Sequence, residues 1–247
     1  MADAWEIEQI KVSVQGRTLV ELAGQVVPRG QLLVLIGPNG AGKTTFLDVI
    51  TGKVRPTKGT VTFKGKSLVG LSEQQISREG IGRKFQTPRV FDNLTVLRNL
   101  ELAASPYKNP FSLLANALPT SVKDEVHRLM NYVGLAPFAT WRAGSLSHGQ
   151  KQWLAIAMLV AQSPEVLLLD EPVAGLTDEE TVRTAELIKS LAGDHTVVVI
   201  EHDMEFIRDL DFDVTVLHQG QVLTEGTLDQ VKADPRVIEV YLGKTDD

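Results

Sequence analysis

Gly37-Pro38-Asn39-Gly40-Ala41-Gly42-Lys43-Thr44-Thr45 is the stretch on which the rest of the chain turns. It follows the apolar run Leu32-Leu33-Val34-Leu35-Ile36, which predicts a buried strand, and it opens a helix-compatible segment from Thr44 to Ile50. The spacing G-x-x-x-x-G-K-T between such a strand and such a helix is that of a phosphate-cradling P-loop. Glycine leaves room for backbone N–H groups from Asn39, Gly40, Ala41, Gly42, Lys43, Thr44 and Thr45 to converge on one anion. The helix behind the loop turns its positive end toward the same point. Lys43 is then placed to reach the β- and γ-phosphates, and the Thr44 hydroxyl to ligate Mg²⁺. A glycine-rich turn matching by chance would not be expected to have both flanking elements. The segment predicts a nucleoside triphosphate site.

Outward from the loop, composition narrows the class. The 247 residues are enough for one large α/β domain, or for one domain with a sizeable insertion. A hydrophobic fraction of 43% suits a packed core rather than a disordered chain. No apolar run approaches the ~18 residues of a membrane span. The opening Met1-Ala2-Asp3-Ala4-Trp5-Glu6 does not read as a secretory leader. A net charge of −6 argues against nucleic acid as a partner. There are no cysteines, which removes thiolate catalysis and Cys-based zinc sites.

Three regions follow one another. The first, 5–86, predicts strands over Ile7–Val14 and Thr18–Val27, then the P-loop strand and helix, then a short strand Thr60–Phe63. The second, 87–160, has helical spacing, broken by Pro106, Pro110 and Pro119. The third, 161–243, returns to alternation: strands at Val166–Leu169 and Thr196–Ile200, a charged helix Asp178–Leu191, and a hairpin turning at Gln219-Gly220. The tail Asp234–Leu242 predicts a short helix. The fold class is α/β: a P-loop core with an antiparallel β subdomain, interrupted by an inserted α-helical subdomain over 87–160.

Two further segments supply chemistry. Val166-Leu167-Leu168-Leu169-Asp170-Glu171-Pro172 is an apolar strand ending in two carboxylates. At the exit of a parallel strand beside a P-loop, Asp170 fits a Mg²⁺ ligand and Glu171 a general base for the attacking water. Leu146-Ser147-His148-Gly149-Gln150 leads into a helix expected over Lys151–Ala161. Its hydroxyl, bare backbone and helix N-terminus again suit an anion, with Ser147, Gly149 and Gln150 as contacts.

With those motifs in order, together with Gln86 after Phe85 and His202 after Glu201, the chain resembles the ATP-binding cassette (ABC) ATPases over about 5–243. The resemblance implies ATP and Mg²⁺ as ligands and two cassettes paired head to tail. Each ATP is then held between one P-loop and the other cassette's Ser147–Gln150 turn. It implies that Gln86 senses Mg²⁺ and water and couples to transmembrane permease subunits, and that His202 contacts the γ-phosphate. A periplasmic solute-binding protein is implied indirectly, with the chain peripheral on the cytoplasmic face of the inner membrane. Gly80–Phe91, Phe46–Lys53, Pro172–Glu180 and Asp234–Gly243 are similar to ATP-binding subunits of urea transporters within the branched-chain amino-acid transporter group. Urea is therefore the expected solute, with a branched-chain amino acid or another amide as the alternative. A soluble ABC ATPase acting on DNA or ribosomes is a further reading.

Three departures from the family pattern carry expectations. His148 stands where glycine is commonest, and Thr177 where aspartate is usual. Val14 replaces the aromatic that stacks on adenine, so an aliphatic side chain would cover the base. Thr177 and Val14 together favour a second, different cassette over a copy of this chain. Arg83, Lys84 and Arg89 form a basic cluster around Gln86, either a solvated face or a contact with the membrane partner, next to a groove built from Phe85, Val90, Phe91 and Leu94.

Overall fold

The strand that leads into the glycine loop lies inside a six-stranded sheet, flanked on both sides by strands made much later in the chain. The computed structural model describes residues 3–14, 17–28, 30–84, 89–105 and 118–242. The elements are β1 (Asp3–Val14), β2 (Arg17–Pro28), β3 (Leu32–Ile36), α1 (Lys43–Ile50), β4 (Val61–Phe63), β5 (Lys66–Ser67), α2 (Glu73–Glu79) and β6 (Ile81–Lys84). Next come α3 (Val96–Ala104), α4 (Thr120–Tyr132), α5 (His148–Val160), β7 (Val166–Asp170), α6 (Asp178–Leu191), β8 (Thr196–Ile200) and α7 (Met204–Leu210). The chain closes with β9 (Val214–His218), β10 (Gln221–Gly226), α8 (Leu228–Ala233) and α9 (Pro235–Leu242).

The large sheet runs β10-β9-β3-β8-β7-β6, parallel throughout except for the edge hairpin β9–β10. A smaller antiparallel sheet runs β2-β1-β4-β5. Parallel strands covered on both faces read as unbroken apolar runs, and alternate side chains serve opposite cores. In β8, Val197 and Val199 join one buried cluster with Leu100, Leu154, Ile156, Ile188 and Phe206 from the helices. Val198 and Ile200 join the other, with Phe46, Leu47 and Ile50 of α1 and Val61 and Phe63 of β4. Helices α3 to α7 thus cover one face, while α1 and the small sheet cover the other.

This matches the predicted α/β class, with its antiparallel β unit and added helices. The hairpin turn falls where expected, with Gln219 at φ 49° and Gly220 at φ 78°, the left-handed pair that suits a two-residue loop. Helix α5 departs from expectation: it starts at His148 rather than Lys151, because Ser147 is its N-cap. Three short helices, α2, α7 and α8, and the strand β6 were not anticipated from periodicity. No described helix is long and apolar enough to cross a membrane.

Register places the strand ends that matter. Leu35 and Asp170 both pair with Ile200, so β3, β7 and β8 stop at one level. Ligands of open α/β sheets bind beyond such carboxyl ends.

Candidate functional site

The glycine loop emerges from β3 and is closed by local bonds. The Ala41 N–H donates to the Pro38 carbonyl at 3.1 Å, and the Phe46 N–H to Gly42 at 2.8 Å. The β9–β10 turn braces it from outside, through the Gly220 N–H and the Ala41 carbonyl at 2.8 Å. Two glycines are needed for different reasons. At Gly37 a Cβ would stand 2.2 Å from the Leu217 carbonyl oxygen, so the loop could not sit against β9. At Gly40, φ is +80° and, its chain neighbours aside, no atom lies within 4 Å of where a Cβ would be. The left-handed backbone there lines an open cradle rather than a packed turn. Asn39, Gly40 and Thr44 are exposed at its mouth.

Lys43 is folded across this cradle. Its ammonium donates to the Gly37 carbonyl at 2.5 Å and to the Pro38 carbonyl at 3.1 Å. Burial lowers its pKa, and the carboxylates of Glu171 and Asp170 pull the other way. The open cradle, the cation over it and the hard oxygens of Thr44 and Asp170 fit a triphosphate with a divalent cation.

Asp170 ends β7 and is 7% exposed. Burial raises its pKa, and the hydrogen bond and charge of Arg83 offset part of that rise. Glu171, one residue on, has a left-handed backbone at φ 45°. Its N–H is tied to the Ile200 carbonyl at 2.9 Å. That tie brings β8's exit alongside, and His202 Nδ1 lies 3.6 Å from Glu171 Oε1. Glu201 between them is 1% exposed and organises the corner. Its carboxylate accepts from the N–H groups of Val173, His202 and Asp203 at 3.2, 2.9 and 3.4 Å. Burial raises the Glu201 pKa, and those donors partly offset it. Lys43, Asp170, Glu171 and His202 therefore converge at one end of the sheet.

Ser147, Gly149 and Gln150 have partners elsewhere. Ser147 and Gln150 form a reciprocal capping box, with the Gln150 N–H donating to Ser147 Oγ at 3.1 Å and the Ser147 N–H to Gln150 Oε1 at 2.9 Å. His148 turns to the Ala174 carbonyl at 3.1 Å. Ser147 Oγ lies 3.5 Å from Glu180 Oε1, and a Cβ on Gly149 would meet that same oxygen at 2.2 Å. Thr177, the residue in the place of the usual aspartate, is the N-cap of α6 and shares a capping box with Glu180. The Ser147–Gln150 turn is thus docked on its own chain's segment 174–180 rather than on the P-loop.

Gln86 and Phe85 lie outside the described residues. Val14 ends β1 opposite Arg17, and its side chain is likewise outside them. The basic cluster needs a correction, because Arg83 is neither a solvated cation nor a surface contact. Its side chain is 6% exposed and bridges Asp48 and Asp170. Position 83 falls inside β6, whose pairing with β7 puts Arg83 beside the strand that ends in Asp170. Asn99, fully buried on α3, was also missed: it holds the Phe91 backbone through two hydrogen bonds, at 2.8 and 3.1 Å. An amide in an otherwise amphipathic helix was the one available signal. Phe91 itself is 55% exposed.

Comparison with known proteins adds the family. Residues 24–174 match the family model described as ABC transporter, and residues 221–247 match one described as branched-chain amino acid ATP-binding cassette transporter. The chain is 38% identical over 224 residues to the high-affinity branched-chain amino acid transport ATP-binding protein LivG of Salmonella typhimurium, covering 87% of this chain and 88% of that protein. It is 35% identical over 248 residues to BraF of Pseudomonas aeruginosa, which bears the same description, covering 97% of each. Among solved structures, a nucleotide-free ATP-binding cassette from an ABC transporter superposes with a TM-score of 0.83 at 26% identity, covering 98% of this chain and 100% of the other.

Proposed function

This chain belongs to the ABC transporter family of ATP-binding subunits, which are ATPases, and on that premise we propose that it powers an importer of branched-chain amino acids. The observation that carries the reading is the convergence of Lys43, Asp170, Glu171 and His202 on one strand-end site, with a second anion-type turn facing elsewhere.

In this reading Lys43 leaves the Gly37 and Pro38 carbonyls for the β- and γ-phosphates, while backbone N–H groups from Asn39 to Thr45 hold the rest. Thr44, Asp170 and Gln86 would hold Mg²⁺, which supplies charge neutralisation on the phosphates. Glu171 accepts the proton of the attacking water, and His202, beside it, contacts the γ-phosphate. Val14 covers the base. Ser147, Gly149 and Gln150 close on the nucleotide of a second cassette. Residues 5–243 act as a single unit, with 5–86 and 161–243 as the nucleotide core and 87–160 as the helical subdomain that carries this turn.

The partners follow from the same reading. Phe91, displayed by Asn99, receives the transmembrane permeases together with Val90, Leu94 and Arg89. The chain sits peripherally on the cytoplasmic side of the membrane. A solute-binding protein acts at a distance, and no nucleic acid is involved. Thr177, which in sequence favours a second, different cassette, is accounted for locally by the cap it forms, so it no longer weighs against a self-pair.

The solute is the point at which the expectation shifts. Motif resemblance puts urea first, but the relatives LivG and BraF are described for branched-chain amino acids and match over nearly the whole chain. The test is uptake by proteoliposomes containing this chain, its permeases and the solute-binding protein. We expect ATP-dependent leucine uptake. Uptake of urea without leucine would overturn the solute assignment, and uptake of neither without ATP consumption would overturn the transport reading.

A further inference from the structure

Arg83 has no role in the reading above, yet its side chain is buried between two carboxylates beside the site. Its side chain is 6% exposed and its guanidinium spans two elements. Nη1 pairs with Asp48 on α1 and lies 3.5 Å from Thr51 Oγ1, and Nη2 donates to Asp170 Oδ2 on β7 at 3.1 Å. The side chains of Asp48 and Asp170 are themselves 14% and 10% exposed. Lys53 reaches Asp48 from the solvent side at 3.4 Å.

A buried guanidinium is costly unless its planar fork is matched, and here Nη1 and Nη2 each meet a carboxylate while Nε does not. The two carboxylates it joins are not equivalent. Asp48 lies four residues beyond Thr44 on α1, which places both on one face of that helix. Asp170 is the carboxylate at the end of β7. The ion pair therefore ties the helix face that bears the Thr44 hydroxyl to the strand end that bears the Asp170 carboxylate. It also commits one Asp170 oxygen, Oδ2, and so restrains how the group can rotate.

We propose that Arg83 is a positioning residue that sets the spacing between Thr44 and Asp170, and thereby the divalent-cation dependence of the nucleotide site. The proposal rests on the ATPase reading. Removing the crosspiece should leave the phosphate cradle alone, since the bonds that close it run from Ala41, Phe46, Gly220 and Lys43 to backbone carbonyls. It should loosen only the pair of oxygens that close around the cation.

The test uses the full chain with Arg83→Gln, Arg83→Lys and Asp48→Asn. We expect the Mg²⁺ concentration for half-maximal ATP hydrolysis to rise about tenfold in Arg83→Gln, a loss of about 1.4 kcal/mol. ATP binding measured in EDTA should stay within about twofold of wild type. Lysine should not restore the Mg²⁺ dependence, because a point ammonium cannot serve both carboxylates. Asp48→Asn should shift it in the same direction, and the double variant Arg83→Gln/Asp48→Asn should go no further than Arg83→Gln alone. If Arg83→Gln does not fold, Asp48→Asn and its Mg²⁺ titration decide the matter. A lower melting temperature with unchanged Mg²⁺ dependence would make Arg83 a fold brace and overturn the proposal, as would equal weakening of ATP binding in EDTA. A wild-type chain without Mg²⁺-dependent hydrolysis would instead sink the ATPase reading beneath it.

Discussion

Glu171 combines its proposed role with a left-handed backbone, at φ 45°, that a non-glycine residue adopts at a cost of about 1–2 kcal/mol. The two properties separate by mutation. Glu171→Gln should keep ATP binding and lose nearly all hydrolysis, because the amide cannot take the water's proton. Glu171→Gly should lose hydrolysis too, yet melt at or above wild type, by about 2–4 °C for each kcal/mol of relieved strain. A glycine variant that melts well below wild type would show that the turn is not strained. Lys43→Ala should remove most ATP binding, and a titration giving wild-type affinity would refute its role. Lys43 and Glu171 were legible in sequence because each sits in a short motif directly after its own strand, β3 and β7. Arg83 was not, because its partners are 35 and 87 residues away, and only the β6–β7 pairing reveals them.

Capping accounts for much of what happens at the level of elements. Ser72–Gln75, Ser147–Gln150, Thr177–Glu180 and Thr227–Gln230 are all reciprocal boxes that open helices. The pattern is visible in sequence, and it would have moved the start of α5 and exposed α2 and α8. Those last two have seven and six residues, too few for an apolar period to stand out. Thr177 shows the gain from reading it this way, since its departure from the family pattern is a working N-cap. We expect Thr177→Ala to cost about 1 kcal/mol in urea denaturation, and Thr177→Asp to stay within about 0.5 kcal/mol of wild type. A large loss with aspartate would mean that threonine does something there besides capping.

At the scale of the molecule, β3, β7 and β8 were readable because strands covered on both faces leave unbroken apolar runs. By contrast β6, Ile81-Gly82-Arg83-Lys84, escaped because a glycine and two cations interrupt any such run. The order of the strands was not readable either, since periodicity carries no information about neighbours. The exposed Phe91 gives the assembly its clearest test. Phe91→Asp should leave ATP hydrolysis by the isolated chain near wild type, while solute uptake by the reconstituted transporter falls by tenfold or more. Unimpaired uptake would place the permease contact on another surface.

The sheet order also has a consequence for how the protein is made. Gly30, at the entrance to β3, hydrogen-bonds Thr196 at the start of β8, 166 residues away. At about 5–20 residues per second, a ribosome that has released the glycine loop needs roughly 8–30 s more to deliver the first strand that can pair with it. Throughout that interval Leu32-Leu33-Val34-Leu35-Ile36 is an apolar segment whose final neighbours do not yet exist. The glycine loop proposed to hold the phosphates is therefore synthesised early and assembled late. Over that interval the unpaired apolar segment is open to association with neighbouring chains, so we expect co-translational shielding to raise the yield of folded protein.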